Sequence, residues 1–270
     1  MRNMFVNCFK DFEPLYHFTS FESAVRILAS KKIKYGKMNQ MNDPCESFRP
    51  IYISPNYITG DEVFDSINMV KEELKKYQQI SFACDGKNGE GFSLNNMWGH
   101  YAEKGYGVCL VFDKRVVLKI LASNDYGMVK YQKHYDPSLT FKKIKSKSES
   151  KIQMYIRRRT KSIFFIKSKE WEHEQEFRIV TRVEKLENNY LDLQTRWGDA
   201  IRCVIFSKAH DVNEEDDVFL SSSFMAISEL AHKDCMLLQL AKDLKGNDIL
   251  YDSHGNTKWG QVLDMWQLDL

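Results

Sequence analysis

The segment from Trp171 to Val180 most constrains the fold, because charged and apolar residues alternate along its second half. On a β-strand, alternate side chains point to opposite faces, so we predict that Glu174, Glu176 and Arg178 share one face. The opposite face would hold three residues that pack inward: Gln175, Phe177 and Ile179. Two carboxylates and a guanidinium on one face are costly unless they pair, bind something polar or face water. We therefore take this face as the strongest indication of function.

Length and composition allow one large folded domain or two small ones. The chain has 270 residues, 43% of them hydrophobic, which is sufficient for a packed core. No apolar stretch approaches the roughly 18–20 residues that span a bilayer, and the start of the chain lacks the apolar segment of a signal peptide. The six cysteines are scattered without a Cys-x-x-Cys pair, which favours neither a zinc cage nor a disulfide framework. These features predict a cytoplasmic protein that is not attached to a membrane.

One stretch of the chain is strongly basic. Eleven Lys and Arg residues lie between Phe141 and Lys169, against one acid, Glu149. That window carries +10, so the rest of the chain carries 2 − 10 = −8. Such density favours a polyanionic partner, although a solvated helix face with no partner is the alternative. The predicted nucleic-acid or partner contacts are Arg157, Arg158, Arg159, Lys161, Lys167 and Lys169.

The order of local patterns predicts a mixed α+β fold. Leu15–Phe18 has the pattern of a strand, and Thr19 and Glu22 have the spacing of a capping box that opens a helix ending near 30–32. Further helices are predicted at 61–78, 94–102 and 148–167, and one opening at 214–217. Further strands are predicted at 79–84, 107–112, 128–131, 201–206, 236–240 and 249–251. Asp43 and Pro44 predict a turn into a short helix. The prediction is a single α+β domain with a mixed or antiparallel central sheet and helical insertions.

Two smaller groups could belong to a binding site. His17 at a strand end would anchor a ligand or be an ordinary half-buried histidine. Trp98 and Tyr101 share one face of a predicted helix, where they would form a stacking platform or part of the core. We find no phosphate-binding glycine loop and no nucleophile elbow. A metal site around His173 is disfavoured, because on a strand its ring faces away from both neighbouring acids.

Together these motifs resemble a known family. The succession is Leu-Tyr-His17-Phe-Thr19, Asn42-Asp43-Pro44-x-Glu46, Met97-Trp98-x-x-Tyr101-Ala102, Gly107-Val108-Cys109-Leu110-x-Phe112 and Lys169-x-Trp171-x-x-Glu174-x-Glu176-x-Arg178. It resembles DUF2971, a bacterial family of uncharacterised domains, over a core of about 14–208. A basic helical insertion would cover about 135–170 and a C-terminal extension about 209–270, all within one domain of 1–270. This family is in turn similar to the ADP-ribosyltransferase superfamily, whose members often occur in toxins and antiphage systems.

The resemblance implies an ADP-ribosyltransferase-like fold and a set of site residues. Glu176 would be the catalytic glutamate of the late strand, and Glu174 would act on the acceptor. Arg178 would hold a carboxylate or bind a phosphate of NAD⁺. The other implied contacts to NAD⁺ are His17 with Thr19 at the adenosine-side ribose, and Tyr101 on the nicotinamide, with Trp98 and Tyr35 as alternatives.

The implied function is the transfer of ADP-ribose from NAD⁺, with no metal, to a macromolecule. Nucleic acid, RNA in particular, is narrowly favoured over protein as the acceptor because of the basic stretch. A toxin of this kind would have a neutralising antitoxin protein as its partner. The alternatives are a non-catalytic nucleic-acid- or protein-binding module of the same fold, and a metal-independent ribonuclease using His17 or His100.

Overall fold

The computed structural model describes most of the chain, namely residues 9–38, 41, 61–121, 125–133, 148–183, 189–207, 218–242, 246 and 248–252. The chain divides into two compact units. The first unit comprises 1–32, 82–122 and 192–270, and the second comprises 33–81 and 123–191. The prediction of one domain over 1–270 stays a prediction.

Strands and helices alternate along the described residues. The strands are β1 (Pro14–Thr19), β2 (Lys32–Lys34), β3 (Gly36–Lys37), β4 (Tyr77–Ala83), β5 (Val108–Asp113), β6 (Asp125–Met128), β7 (Lys130–Gln132), β8 (Ile166–Ser168), β9 (Glu176–Arg182), β10 (Tyr190–Asp192), β11 (Ile201–Phe206), β12 (Met236–Lys242) and β13 (Asp248–Asp252). The α-helices are α1 (Phe21–Ser30), α2 (Asp61–Leu74), α3 (Asn95–Tyr101), α4 (Lys114–Ile120), α5 (Glu149–Arg158), α6 (Thr160–Phe164), α7 (Trp197–Ala200) and α8 (Val218–Leu230). Short 3-10 segments lie at Gly91–Ser93, Glu103–Gly105, Lys169–Glu174 and Gln194–Arg196.

The first unit is built on a mixed sheet. Its strands lie in the order β13-β12-β11-β5-β1, and β11 pairs parallel with β12 while the other pairs are antiparallel. All six residues of β5 are buried, as expected of an apolar run at the centre of a sheet. Packed on the sheet is an aromatic core in which the rings of Phe18 and Trp98 meet edge to face at 5.0 Å. The predicted mixed sheet with helices is confirmed.

Helix α1 begins one residue later than the capping-box spacing predicts. The cap is Ser20, whose Oγ accepts a hydrogen bond from the backbone N–H of Ser23 at 3.1 Å. Thr19 instead ends β1 opposite Val108 and is buried, so sheet pairing keeps it out of the capping position. The predicted capping role of Thr19 is wrong.

Removing the Ser20 cap is expected to cost about 1 kcal/mol of stability, because the Ser23 N–H loses its acceptor. Thermal unfolding of Ser20→Ala would measure that loss, and Ser20→Asp should retain nearly the full stability. Equal unfolding temperatures for Ser20→Ala and the natural chain would contradict the assignment of the cap.

The second unit has a smaller sheet covered by helices. Strand β9 lies between β4 and β6, β3 pairs with β4, and β7 pairs parallel with β8. Its core contains Ile152 and Ile156 of α5, and a stacked pair formed by Tyr77 and Phe164 with ring centroids 4.7 Å apart. The apolar residues of α5 recur at helical spacing, so the helix buries one side and exposes the other.

The basic segment is not the single helix predicted over 148–167. Helix α5 ends at Arg158, since the backbone of Arg159 leaves the helical conformation (φ −118°, ψ 15°). The hydroxyl of Thr160 donates to the carbonyl of Arg157 at 3.0 Å, and α6 begins at Thr160. The apolar residues at the end of α6 and directly after it, Ile163, Phe164 and Phe165, are buried, and the chain then enters β8. Burial of this apolar run therefore overrides the propensity for one continuous helix.

The remaining predicted elements occur with shifted ends, except that the strand predicted at 128–131 is two strands, β6 and β7. The predicted turn at Asp43 and Pro44 and the helix opening at 214–217 lie outside the described residues. Within the described residues, every helix is too short or too polar to cross a membrane.

Candidate functional site

Four charged side chains of the second unit form a buried network, which we call the carboxylate network: Lys167, Glu174, Glu176 and Arg178. Each is at most 4% exposed. The Lys167 Nζ lies 2.6 Å from Glu174 Oε2 and 3.7 Å from Glu176 Oε2. Arg178 donates from Nε and Nη2 to the two carboxylate oxygens of Glu176, both at 2.7 Å. Two cations thus balance two carboxylates, which is the condition under which buried charges are tolerated.

The backbone between the two glutamates explains how both reach Lys167. Glu174 is the last residue of the 3-10 segment and Glu176 is the first residue of β9. Gln175 between them has a left-handed conformation (φ 48°, ψ 47°), which is uncommon for a residue other than glycine and tends to occur at functional or tightly constrained positions. The prediction that Glu174 lies on the strand is therefore wrong, although it still meets Glu176 at a shared cation.

Both sides of β9 are buried. Phe177 and Ile179 pack inward as predicted, but Glu176 and Arg178 on the other side are equally shielded from water. The charged groups of this face could pair, bind something polar or face water, and the structure shows that they pair with one another. The ion pairs are therefore the reason that the face can be buried at all.

Neighbouring groups complete the hydrogen bonding of the network. Arg178 Nη1 donates to the carbonyl oxygen of Phe164 at 2.7 Å, and the backbone N–H of Glu176 donates to the hydroxyl oxygen of Tyr131 at 2.8 Å. The ring of Trp171 lies 4.7 Å from the Lys167 Nζ, in cation–π contact.

A buried amide beside these residues is only partly satisfied. The amide oxygen of Gln79 has no hydrogen-bond partner among the described residues, while its Nε2 lies 3.4 Å from the Ser81 hydroxyl.

The network keeps Glu176 ionised. Burial alone would raise its pKa, but the charge and hydrogen bonds of Arg178, then Lys167 and a hydrogen bond from Ser81, lower the pKa to about 2. Burial and the nearby Glu176 carboxylate raise the pKa of Tyr131, so its phenol stays protonated. A carboxylate that remains charged in a site shielded from water has a strong local field.

This pKa shift predicts how stability depends on pH. Because the pKa of Glu176 is lower in the folded chain than its ordinary value of 4.5, its contribution is present above pH 4.5 and is lost as the pH falls toward about 2. The free energy of unfolding, measured in urea, should therefore fall more steeply below pH 4.5 for the natural chain than for Glu176→Gln. Parallel loss of stability in both proteins would contradict the shift.

The structure divides the residues predicted to bind NAD⁺ between the two units. Glu174, Glu176 and Arg178 lie together in the second unit, where Tyr35 is also buried and donates its backbone N–H to Asn189 O at 3.0 Å. The other predicted contacts lie in the first unit: His17, Thr19, Trp98 and Tyr101. Their convergence with Glu176 on one cleft stays a prediction.

Within the first unit, Trp98 fits the core interpretation. It is buried, and its indole N–H donates to the carbonyl of Phe92 at 2.8 Å, so its polar atom is already satisfied. Tyr101 is half-buried against the same core. His17 is half-buried, with its ring centroid 5.5 Å from that of Phe82.

The predicted basic contacts separate into surface and interior. Arg157, Arg158, Lys161 and Lys169 are exposed, and Arg159 is half-buried. Lys169 forms an ion pair with Glu172. Lys167 is buried in the carboxylate network rather than exposed, and its contact with a partner stays a prediction. Sequence reasoning also missed Tyr131, whose only signal was its place in a weak strand pattern. No cluster of three or more possible metal ligands occurs among the residues that the structure describes.

Comparison with known proteins adds one finding. Residues 97–179 match the model of the DUF2971 family. The members of this family are described as proteins of unknown function. The match includes most of α3 and the whole carboxylate network, and it confirms the predicted family resemblance over this part of the chain. No curated protein and no solved structure matches the chain significantly.

Proposed function

We propose that the protein is an ADP-ribosyltransferase that takes NAD⁺ as co-substrate and modifies a macromolecule, with RNA narrowly favoured over protein. The observation that carries the proposal is an ionised glutamate, Glu176, fixed by an arginine in a site shielded from water. The type of reaction is inferred from the resemblance of the ordered motifs to DUF2971 and, through it, to the ADP-ribosyltransferase superfamily. A toxin or antiphage role, with a neutralising protein partner, rests on that resemblance alone.

The chemistry suits a carboxylate in this state. Breaking the bond between nicotinamide and ribose develops an oxocarbenium cation, as in glycoside hydrolysis. A fixed negative charge stabilises that cation best where water is excluded and no reorganisation is needed. Glu176 would lie beside the cationic sugar and accept a hydrogen bond from its 2′-hydroxyl, while Arg178 holds the carboxylate in place.

The acceptor would be activated by the second carboxylate. Glu174 ends the 3-10 segment two residues before Glu176 begins β9, so it can orient or deprotonate a nucleophile that approaches the same sugar. Its ion pair with Lys167 at 2.6 Å must loosen for that step. NAD⁺ must also reach Glu176, which is only 3% exposed, so the proposal requires local opening around the network.

A non-catalytic binding module is the second candidate, and a specific observation favours it. The network is charge-balanced and each described carboxylate oxygen of Glu176 already accepts a strong hydrogen bond. Buried ion pairs of this kind also occur as purely structural features. In that case the network would hold the second unit together and the basic surface would bind the partner.

Incubation with NAD⁺ labelled in its adenylate half separates these candidates. The purified chain is mixed with RNA, single-stranded DNA or a protein extract, and both nicotinamide release and label transfer are measured. We expect nicotinamide release together with label on one acceptor class. No NAD⁺ consumption with any acceptor would overturn the proposal, and RNA cleavage without NAD⁺ would favour the ribonuclease.

A further inference from the structure

We infer that the exposed face of α5, continued by the start of α6, is a binding platform for a single-stranded polynucleotide. As the acceptor site of ADP-ribosyl transfer it rests on the proposed function, but the binding itself needs neither NAD⁺ nor catalysis. We call this face the α5 platform and define it by Lys151, Tyr155, Arg158, Arg159 and Lys161.

Helical spacing places a tyrosine within a row of cations. Tyr155 and Arg158 follow Lys151 at i+4 and i+7, so the three lie on one side of α5. Ile152 and Ile156 are buried and hold the neighbouring side of the helix in the core. Tyr155 is half-buried and packs against the same core, while Lys151 and Arg158 are exposed. The row is therefore rigidly mounted, and its two cations face water.

Arg159 and Lys161 extend the row beyond the end of the helix. The guanidinium carbon of Arg159 lies 4.2 Å from the Tyr155 ring centroid, in cation–π contact. Lys161 donates from Nζ to the backbone carbonyl of Tyr126 at 2.8 Å, and its ammonium lies over the Phe165 ring. The side chain of Tyr126 is 40% exposed on β6. The surface therefore combines cations with the aromatic rings that hold them in place.

Few acids in the same stretch of chain oppose the positive charge of the platform. Glu149 is the only acid between 148 and 168, and its carboxylate is engaged by Lys76 at 3.1 Å and by Gln153 at 3.3 Å. Lys151 and Arg158 have no ion-pair partner among the described residues. Unpaired exposed cations favour a partner that supplies many negative charges.

Stacking determines which polyanion fits best. Grooves for single strands combine backbone-tracking cations with aromatic rings on which unpaired bases stack. In a duplex the bases are already stacked, and an acidic peptide has no flat rings to offer. Tyr155 holds the Arg159 guanidinium above its ring, and unpaired bases stack on the plane of such a group. This surface therefore favours a single strand over a duplex or an acidic protein.

Binding of fluorescent 12-nucleotide strands by the full chain, measured by anisotropy without NAD⁺, tests the inference. Oligo-U and oligo-dT distinguish RNA from DNA, and an abasic strand, a duplex and poly-glutamate of matched charge are the competitors. We expect preference for the single strands and a salt slope of about −3, since roughly four cations would neutralise phosphates. Tyr155→Leu should weaken binding roughly tenfold, whereas Tyr155→Phe should retain it because the ring remains.

A charge reversal on the platform has a matched control elsewhere. Arg158→Glu should weaken binding at least tenfold, while Lys119→Glu, an identical change of charge on the exposed side of α4, should have little effect. Equal effects of the two reversals would overturn the inference, and so would equal affinity for the abasic strand or tighter binding of poly-glutamate. Failure of NAD⁺ consumption with intact strand binding would reject the proposed transfer and leave the platform standing.

Discussion

Replacing Arg178 with leucine is expected to lower the free energy of unfolding by about 3–5 kcal/mol, because Glu176 would be left buried without its partner. The Arg178 side chain is fully buried and makes two hydrogen bonds to Glu176 and one to the carbonyl of Phe164. Leucine fills part of the space but supplies no donor. Urea unfolding followed by circular dichroism would measure the loss.

Two further variants make this prediction specific. Arg182→Leu also removes an arginine paired with a buried glutamate, Glu73. However, Glu73 keeps its ion pair with Lys76 at 2.8 Å, and Arg182 is 22% exposed, so water can replace it. Its cost should be clearly smaller. The double variant Glu176→Met with Arg178→Leu should recover part of the stability, because no unpaired charge remains. If Arg178→Leu alone lowers the free energy of unfolding no more than Arg182→Leu does, the network is less dehydrated than its burial indicates.

Part of the site could be predicted because it depends on local periodicity. Glu176 and Arg178 are two residues apart on a strand, so alternation alone brings them to the same side. Lys167 and Tyr131 join them through the pairing of β7 with β8, in which Tyr131 lies opposite Lys167. That pairing is non-local, and neither strand has a pattern strong enough to reveal it. The left-handed Gln175 was equally hidden, since its side chain type does not require that conformation.

The basic segment shows a second limit of sequence reasoning. A count of charges predicts attraction to a polyanion but not which lysine is buried. Lys167 is interior because it lies on β8, which pairs with β7, and its side chain reaches Glu174 of the 3-10 segment. Lys161, a few residues earlier, is exposed. By contrast, the strands of the first unit could be located closely because apolar runs such as that of β5 are long and continuous.

Neutralising Glu176 is expected to reduce nicotinamide release roughly 100- to 1000-fold if the proposed transfer occurs. Glu176→Gln retains the shape of the side chain and can still accept a hydrogen bond from Arg178, but it removes the charge that faces the oxocarbenium cation. Glu73→Gln is the matched control, since Glu73 is also buried, ion-paired and in the second unit, with Arg182 as partner. Both variants should lose stability, and Glu73→Gln alone should retain the reaction rate.

The two network carboxylates should also differ in which product they affect. Because Glu174 would act on the acceptor, Glu174→Gln should reduce label transfer more than nicotinamide release, so NAD⁺ is hydrolysed by water instead. Glu176→Gln should reduce both together, since both products pass through the same cation. Rates are compared at a temperature where circular dichroism shows each variant folded. Undiminished nicotinamide release by Glu176→Gln would exclude Glu176 from the reaction and assign the network a structural role.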